Sequence, residues 1–428
     1  GNYAFRNCAL LGTVNWNATG ATAAGADNGA IFAGCTSLAT VNIGENVTAL
    51  PSYTFKGCTA ITAITIPNSM TAIGLSAFGG CASLEEITLP FVGNTKSANS
   101  NSYHFGYIFG ANNANNIPAS LKTVNVTGDV AIAGNAFNGC TNITTVTIPN
   151  VTSIGASAFQ NCSSLTEIEI PQGVTAINAS AFNGCAALQS ASLPESLTQI
   201  GASAFAGCSL LNNLTLPASL TSIGENAFIN CINLANLTFG NSVTSIGNSA
   251  FQSCSSLENF TLPESLTQIG SNAFNGCAAI TSLTIPQRVN SVGNYAFRNC
   301  ALLGTVNWNA ASFSTAGSNA APIFAGCTLL ATVNIGESVT ALPRYTFYGC
   351  TGIRNLTVPA NVTTINQSAF QNCTSLEEIT LPFVGNTKTA NRFIGYIFGA
   401  NAFSANSTSV PASLKKVNVT GAVAIGAN

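Results

Sequence analysis

The acidic side chains that could act in catalysis occur as close pairs along the chain. These pairs are Glu85/Glu86, Glu167/Glu169 and Glu377/Glu378. Glu167 and Glu169 are two residues apart, so both would point the same way from a strand. Paired carboxylates can hydrolyse a glycosidic bond, but only across a cleft that holds the sugar. A solvated strand face accounts for such a pair without a cleft, and we favour that interpretation.

The sequence contains one histidine, His104. A Ser/His/Asp triad needs a histidine as its base, and the later copy of the region around His104 has none. The sequence also carries no phosphate-binding loop, metal cluster or cofactor signature. We therefore expect neither an enzyme nor a cofactor.

Fifteen cysteines form the other reactive set, and each occupies the same place in a repeated phrase, Phe-x-x-Cys. This single spacing lacks the C-x-x-C clustering of zinc sites. Equivalent residues in adjacent turns of a repeat protein lie roughly 5 Å apart, which also permits a ladder of disulfides. We favour buried free thiols, because cysteine is a small apolar filler of protein cores.

The phrase recurs at a fixed interval, which predicts the elements that carry it. Seven motif phenylalanines are each 23 residues apart: Phe159, Phe182, Phe205, Phe228, Phe251, Phe274 and Phe297. A period of 20 to 30 residues is typical of a solenoid. Within one repeat, Leu237-Thr238-Phe239 alternates as a half-buried strand does. The Ala-Phe-x-x-Cys segment is short, and we expect one helical or 3₁₀ turn there.

The full repeat, L-x-x-I-x-I-P-x-x-V-x-x-I-G-x-x-A-F-x-x-C, resembles the BspA-type leucine-rich repeat. The segments Leu165-x-x-Ile168-x-Ile170 and Leu376-x-x-Ile379-x-Leu381 match the strand signature of leucine-rich repeats. The resemblance covers essentially the whole chain. It implies a leucine-rich-repeat solenoid, a right-handed superhelix or horseshoe with a parallel β-sheet on the concave face and short helical or 3₁₀ turns opposite. It also implies an extracellular or cell-surface protein of the kind linked to adhesion.

A longer repeat contains the short one. Residues 1–18 recur unchanged at 293–310, an offset of 292 residues, and 1–136 resembles 293–428. We therefore expect residues 1–428 to form a single continuous solenoid of about 17 short repeats. The sequence begins and ends inside a repeat without a recognisable cap. Either it is a fragment of a longer chain, or its ends stack head to tail as in a fibre.

The outward strand positions form columns rich in threonine and asparagine. The candidate binding face consists of Thr215, Thr238, Thr261, Thr284, Asn213, Asn236 and Asn259. These residues could simply be soluble β-formers, or they could bind a glycan, a matrix protein or another copy of the chain. The same columns create sequons at Asn213, Asn236, Asn259 and Asn355, which would carry glycans in a secreted eukaryotic protein. A chain rich in threonine and asparagine also generates sequons by chance.

Two longer repeats carry clusters of aromatic residues that could form binding loops. The candidate loop contacts are Tyr103, Phe105 and Tyr107 in the first copy and Arg392, Phe393 and Tyr396 in the second. Phe109 and Phe398 fit the motif position, so we expect both of them in the core.

Charged residues make up only 6% of the chain, and the net charge is −2. This composition argues against nucleic acid and anionic membranes as partners. No apolar run in this stretch is long enough to cross a membrane. We therefore expect an adhesion or recognition scaffold that binds protein or glycan through its polar sheet face. The alternative is a structural protomer or segment of an extracellular filament or coat, assembled end to end with further copies of itself.

Overall fold

The computed structural model describes residues 3–19, 30–96, 104–258, 260–311, 322–388 and 393–421. It divides into two compact units, Gly1–Leu211 and Asn212–Asn428. Each unit is a stack of short coils whose strands pair in parallel, which confirms the predicted leucine-rich-repeat solenoid. A single continuous solenoid over the whole chain stays a prediction.

The N-terminal unit contains fourteen described strands and two 3₁₀ helices. Its strands are β1 (Thr13–Trp16), β2 (Thr40–Ile43), β3 (Ala49–Leu50), β4 (Ala63–Thr65), β5 (Ala72–Ile73), β6 (Glu86–Leu89), β7 (Thr123–Val126), β8 (Ala131–Ile132), β9 (Thr145–Thr147), β10 (Ser153–Ile154), β11 (Glu167–Glu169), β12 (Ala176–Ile177), β13 (Ser190–Ser192) and β14 (Gln199–Ile200). The 3₁₀ helices span Phe105–Phe109 and Ala114–Asn116.

The C-terminal unit follows the same plan, again with fourteen described strands. They are β15 (Asn213–Thr215), β16 (Ser222–Ile223), β17 (Asn236–Thr238), β18 (Ser245–Ile246), β19 (Gln268–Ile269), β20 (Ser282–Ile285), β21 (Ser291–Val292), β22 (Thr305–Trp308), β23 (Thr332–Ile335), β24 (Ala341–Leu342), β25 (Asn355–Thr357), β26 (Thr364–Ile365), β27 (Glu378–Leu381) and β28 (Lys416–Val419). Two 3₁₀ helices, Ile394–Phe398 and Phe403–Ala405, precede the short helix α1 (Asn406–Ser409).

A regular coil contributes one strand of three or four residues and one strand of two residues. The longer strands form one ladder, and in the N-terminal unit its order is β4-β6-β7-β9-β11-β13. The two-residue strands form a second ladder, β8-β10-β12-β14. Because the repeat keeps its length, equivalent residues lie opposite each other, as Glu167 lies opposite Ser190. Each column of the sequence therefore becomes a column of the structure.

The Ala-Phe-x-x-Cys segment of a regular coil differs from the predicted helical or 3₁₀ turn. Ser157 and Asn161 have positive φ angles of 56° and 59°, and the Gln160 N–H donates to the Ser157 carbonyl within the turn. The N–H groups of Ser157 and Asn161 donate to the carbonyls of Ala179 and Asn183 in the next coil, at 2.9 and 2.7 Å. Backbone bonds between coils therefore shape this side, and true 3₁₀ helices occur in the longer, irregular coils.

The motif phenylalanines form the core of each unit. Phe159 and Phe182 are fully buried, and their ring centroids lie 5.2 Å apart with planes only 2° from parallel. Phe109 and Phe398 are also buried, as predicted. The aromatic column is continuous with the buried leucine and isoleucine of the strands, because both recur at the same interval.

All fifteen cysteines are free thiols, and fourteen of them, all except the exposed Cys8, line the core beside the phenylalanines. The Cys185 thiol donates to the carbonyl of Phe159 in the preceding coil, with a sulfur to oxygen distance of 3.1 Å. Burial raises the pKa of Cys185 to about 12. A thiol that is buried, protonated and hydrogen-bonded in this way acts as a packing residue.

Candidate recognition surface

The sheet face predicted to bind a partner is clearest on β15 and β17. The two strands pair in register, Asn213 opposite Asn236 and Thr215 opposite Thr238. Leu214 between the polar residues is buried, whereas all four polar residues are exposed. Strand alternation therefore places two polar columns on the solvent side, as the sequence predicted.

The asparagines on this face are linked into short ladders of side-chain amides. The Asn236 Nδ2 donates to Asn213 Oδ1 at 2.7 Å, and the same bond joins Asn334 to Asn307 at 2.8 Å. An amide has two donor hydrogens and an acceptor oxygen, so a ladder bond leaves hydrogen-bonding capacity facing solvent. The bonds fix the direction in which each amide points, and this gives the face an ordered pattern of donors and acceptors.

Threonine continues the pattern where asparagine is absent. The Asn307 Nδ2 donates to Thr284 Oγ1 at 3.0 Å across β20 and β22. Thr261 is also exposed, but it lies outside any strand, next to Phe260, whose ring stacks on Phe274 at 5.3 Å. The polar sheet face therefore lacks a regular strand at Thr261. Asn259, the remaining predicted member, lies outside the described residues.

The predicted glycosylation positions share this geometry. Asn213, Asn236 and Asn355 are exposed on their strands. Neighbouring strands are about 4.8 Å apart, so two glycans on directly opposite asparagines would crowd each other. Modification of these positions stays a prediction, and the spacing favours one glycan for each opposed pair.

The acidic pairs are solvated or paired with cations. Glu167 and Glu169 are exposed on β11, with buried Ile168 between them. Glu377 accepts from Arg354 at 2.8 Å, and Glu378 accepts from Lys416 at 2.9 Å. The hydrogen bond from Lys416 lowers the pKa of Glu378. These carboxylates are parts of an open sheet face, as the solvated-face interpretation predicted.

The predicted loop contacts differ in their exposure to solvent. Phe105 is fully buried, with its ring 5.1 Å from Phe137 and 5.3 Å from Phe109. The prediction of Phe105 as a surface contact is therefore wrong, because the 3₁₀ helix turns this ring into the core. Tyr107, Phe393 and Tyr396 are partly exposed. The other two candidates, Tyr103 and Arg392, lie outside the described residues.

The single histidine caps a 3₁₀ helix. His104 Nδ1 accepts from the Gly106 N–H at 2.9 Å, and its Nε2 lies 2.9 Å from the Asn138 carbonyl oxygen. This pair of contacts requires the neutral tautomer with its proton on Nε2. Burial lowers the pKa of His104, which also favours the neutral form. His104 therefore has a structural role in this fold.

Sequence reasoning missed a set of tyrosines on the turn side. Tyr3, Tyr53, Tyr295 and Tyr345 all have positive φ at the coil position that Ser157 occupies. A cation lies over each of these rings, as Lys56 does over Tyr53, with its Nζ 5.1 Å from the ring centroid. Aligning the repeats by column would have revealed the substitution of tyrosine for the common serine or asparagine.

Metal-ligand clusters and membrane-spanning helices are both absent from the described ranges. Within them, no three His, Cys, Asp or Glu side chains come together in a way that could hold a metal ion. The helices of the same ranges are too short or too polar to cross a membrane.

Comparison with known families assigns the repeat. A model of the BspA-type leucine-rich repeat region matches six copies, over residues 1–105, 130–258, 221–320 and 320–419. The chain belongs to the BspA-type leucine-rich repeat family. Leucine-rich-repeat solenoids typically serve as scaffolds with extended binding surfaces, in line with the expected absence of enzyme activity. No curated protein matches the chain.

Solved structures support the same fold. A leucine-rich repeat protein from Bacteroides ovatus is 26% identical, with a TM-score of 0.52, and the match covers 87% of this chain and 78% of that protein. A leucine-rich cell surface protein from Faecalibacterium prausnitzii is 24% identical over 88% of this chain and 84% of its own, with a TM-score of 0.36. A T. pallidum leucine-rich repeat protein is 30% identical over 37% of this chain and 77% of its own, with a TM-score of 0.35. The Bacteroides ovatus protein shares the fold of this chain.

Proposed function

We propose that this BspA-type repeat protein is an extracellular or cell-surface recognition scaffold. Its ligand, a protein or a glycan, binds the face formed by the polar columns of the longer strands. The observation that carries the proposal is the amide ladder between Asn213 and Asn236, beside Thr215 and Thr238. These side chains are exposed and regularly spaced, and the hydrogen bond between the two asparagines fixes the orientation of their amides.

The chemistry of the face favours a neutral, polar ligand. Amide and hydroxyl groups can both donate and accept hydrogen bonds, which suits sugar hydroxyls or the polar surface of a matrix protein. A flat array of such groups gains its binding energy over many small contacts, so the affinity of a single contact is low and an extended ligand is favoured. The low content of charged residues agrees with recognition that does not depend on salt.

Location outside the cell is part of the same proposal. One structural relative, from Faecalibacterium prausnitzii, is described as a leucine-rich cell surface protein. A face rich in threonine and asparagine that accepts hydrogen bonds from sugars suits that setting, where glycans and matrix proteins are abundant.

An array experiment tests the proposal. The purified full chain is applied to printed glycans and to extracellular matrix proteins at two salt concentrations. We expect reproducible binding to one class of ligand, with little loss at the higher salt. Silence on both arrays, or binding that disappears with salt, would contradict the proposal.

A further inference from the structure

A depression of about 530 Å³ opens on the turn side of the N-terminal unit. This volume is within the range of sites for small ligands, roughly 300 to 1,000 Å³. Its wall contains Tyr53, Lys56, Ser76, Gly79, Gly110 and Asn116. None of these residues belongs to the polar columns of the sheet, so the depression is independent of the recognition face.

The floor of the depression is open because glycine replaces a larger residue. Gly79 corresponds to Gln371 in the later copy, 292 residues on. There the Gln371 side chain packs against Gly399, and a Cβ on Gly399 would lie 2.7 Å from it. In the N-terminal unit, Gly79 lacks the side chain that would fill this space beside Gly110.

The wall carries an aromatic ring with a cation over it. The Lys56 ammonium lies 5.1 Å from the centroid of the Tyr53 ring. Lys56 is exposed, and no carboxylate of the described residues comes within ion-pair distance of it. Among the described residues that line the depression, none is acidic. An anionic group of a ligand would therefore be the first partner of this ammonium.

Polar groups at the base complete the site. Ser76 is 6% exposed and lines the depression, and its Oγ lies 2.8 Å from where a Cβ of Gly110 would be. Asn116 is exposed, and its Nδ2 lies 3.7 Å from where a Cβ of Gly110 would be. The hydroxyl of Ser76 and the amide of Asn116 can each donate and accept hydrogen bonds.

We infer that this depression binds an acidic sugar, a hexuronate or a sialate residue at the end of a glycan. The apolar face of a pyranose packs on the Tyr53 ring, and the sugar carboxylate pairs with the Lys56 ammonium. The sugar hydroxyls bond to the hydroxyl of Ser76 and the amide of Asn116. The second copy lacks this combination, because Tyr348 replaces Lys56 and Ala405 replaces Asn116.

The test compares acidic and neutral sugars by titration calorimetry of the full chain. The probes are the methyl glycosides of glucuronic acid and N-acetylneuraminic acid, with methyl glucoside and methyl galactoside as neutral probes. We expect at least one acidic probe to bind about threefold or more tighter than the neutral ones, the contribution of a partly exposed ion pair. Equal binding of both kinds, or no binding of the acidic probes, would overturn the inference.

The chain supplies matched variants that keep its fold. Gly79→Gln copies Gln371, Lys56→Gln copies Gln160, and Tyr53→Ser copies Ser157 at the same coil positions. Gly79→Gln and Tyr53→Ser should abolish binding, and Lys56→Gln should remove the preference for acidic probes. The control is Tyr295→Ser, which changes another tyrosine with a neighbouring cation and should leave binding unchanged. Binding that survives Gly79→Gln, or that Tyr295→Ser removes, would overturn the inference.

Discussion

His104 shows at the scale of one residue how this chain uses a titratable group. Its Nδ1 accepts from Gly106 N–H and begins a 3₁₀ helix. In the second copy, Phe393 stands at the corresponding position and cannot cap the helix. Asn406 Oδ1 accepts from Gly395 N–H there instead, at 2.8 Å. The two copies therefore satisfy the same N–H with different groups, only one of which titrates.

This difference predicts a local pH dependence. Burial lowers the pKa of His104 below its ordinary value of 6.5, so the unfolded segment takes up a proton more readily than the folded one. The cap therefore contributes its full stability above pH about 6.5 and loses it as the pH falls further. As the pH falls below that value, hydrogen exchange at Gly106 should slow less than base catalysis alone predicts, because the cap is lost. Gly395 is the internal control, and an equal change at both amides would contradict the assignment.

The cysteines predict a labelling pattern. Cys8 is exposed, whereas the other fourteen are buried, and burial raises the pKa of Cys58 and Cys81 to about 12. Because the thiolate is the reactive form, iodoacetamide at pH 8 should modify Cys8 rapidly in the folded protein. The rest should react only in denaturant. A Cys8→Ser variant should lose the fast phase, and rapid labelling of several further cysteines would contradict the buried ladder.

Residue roles were predictable where a residue kept its column. Phe159, Cys185 and Leu214 recur at the motif interval, and all three are buried as expected. Phe105 was misassigned because the longer coil interrupts the interval, so spacing alone does not show which of Phe105 and Phe109 faces inward. In the structure, both do.

At the scale of an element, the coils depend on bonds that a single segment does not reveal. The turn around Phe159 was expected to be helical or 3₁₀, because its length allows little else. Alternate N–H groups of this turn instead reach the next coil, as that of Asn161 does to the Asn183 carbonyl. The sequence of one segment indicates its helix or turn propensity, but the hydrogen-bond acceptor of Asn161 lies in a different repeat. The polar columns were predictable, because strand alternation is a local property. The amide ladders were not predictable, because each bond joins residues of two different repeats.

The phenylalanine column predicts a large and local cost of truncation. Phe159→Ala removes a fully buried ring that stacks on Phe137 and Phe182, and it should lower the free energy of unfolding by about 3 to 5 kcal/mol. Since repeats contact mainly their neighbours, hydrogen exchange should accelerate most in the adjacent coils. Phe159→Leu should cost less. Equal effects of the two changes, or acceleration spread evenly through the chain, would contradict a close-packed column.

At the scale of the whole molecule, the long repeat of 292 residues determines which surface features occur twice in the chain. It repeats the polar columns while it varies the loops, as the substitution of Gln371 for Gly79 illustrates. A shared face suits one extended ligand, and diverged turns suit separate small ligands. The repeat and its family were predictable from spacing. The depression was not, because it depends on which side chains fill space between coils.

End-to-end assembly into a filament or coat stays the structural alternative to recognition. Electron microscopy of the native material distinguishes the two. If the alternative holds, fibres with a regular axial repeat should appear, since head-to-tail contacts that do not close produce filaments. Only separate short particles of uniform size would contradict it.

If the polar sheet face binds the partner, charges placed on that face should weaken binding more than the same charges placed on the turn side. Thr215→Lys with Thr238→Lys places two cations on the face. The control, Gln252→Lys with Asn275→Lys, adds the same charge on the turn side, at coil positions where Lys56 and Arg298 occur naturally. All four substituted positions are exposed or partly exposed. Substitutions at such positions usually change stability by about 0.5 kcal/mol or less.

The measurement is the affinity of each variant for the ligand that the wild-type chain binds on the arrays. We predict that the face variant loses about tenfold or more in affinity, equivalent to about 1.4 kcal/mol, while the turn-side control keeps the wild-type value. Equal affinities of the two variants, or a loss confined to the turn-side control, would show that the polar sheet face does not bind this ligand.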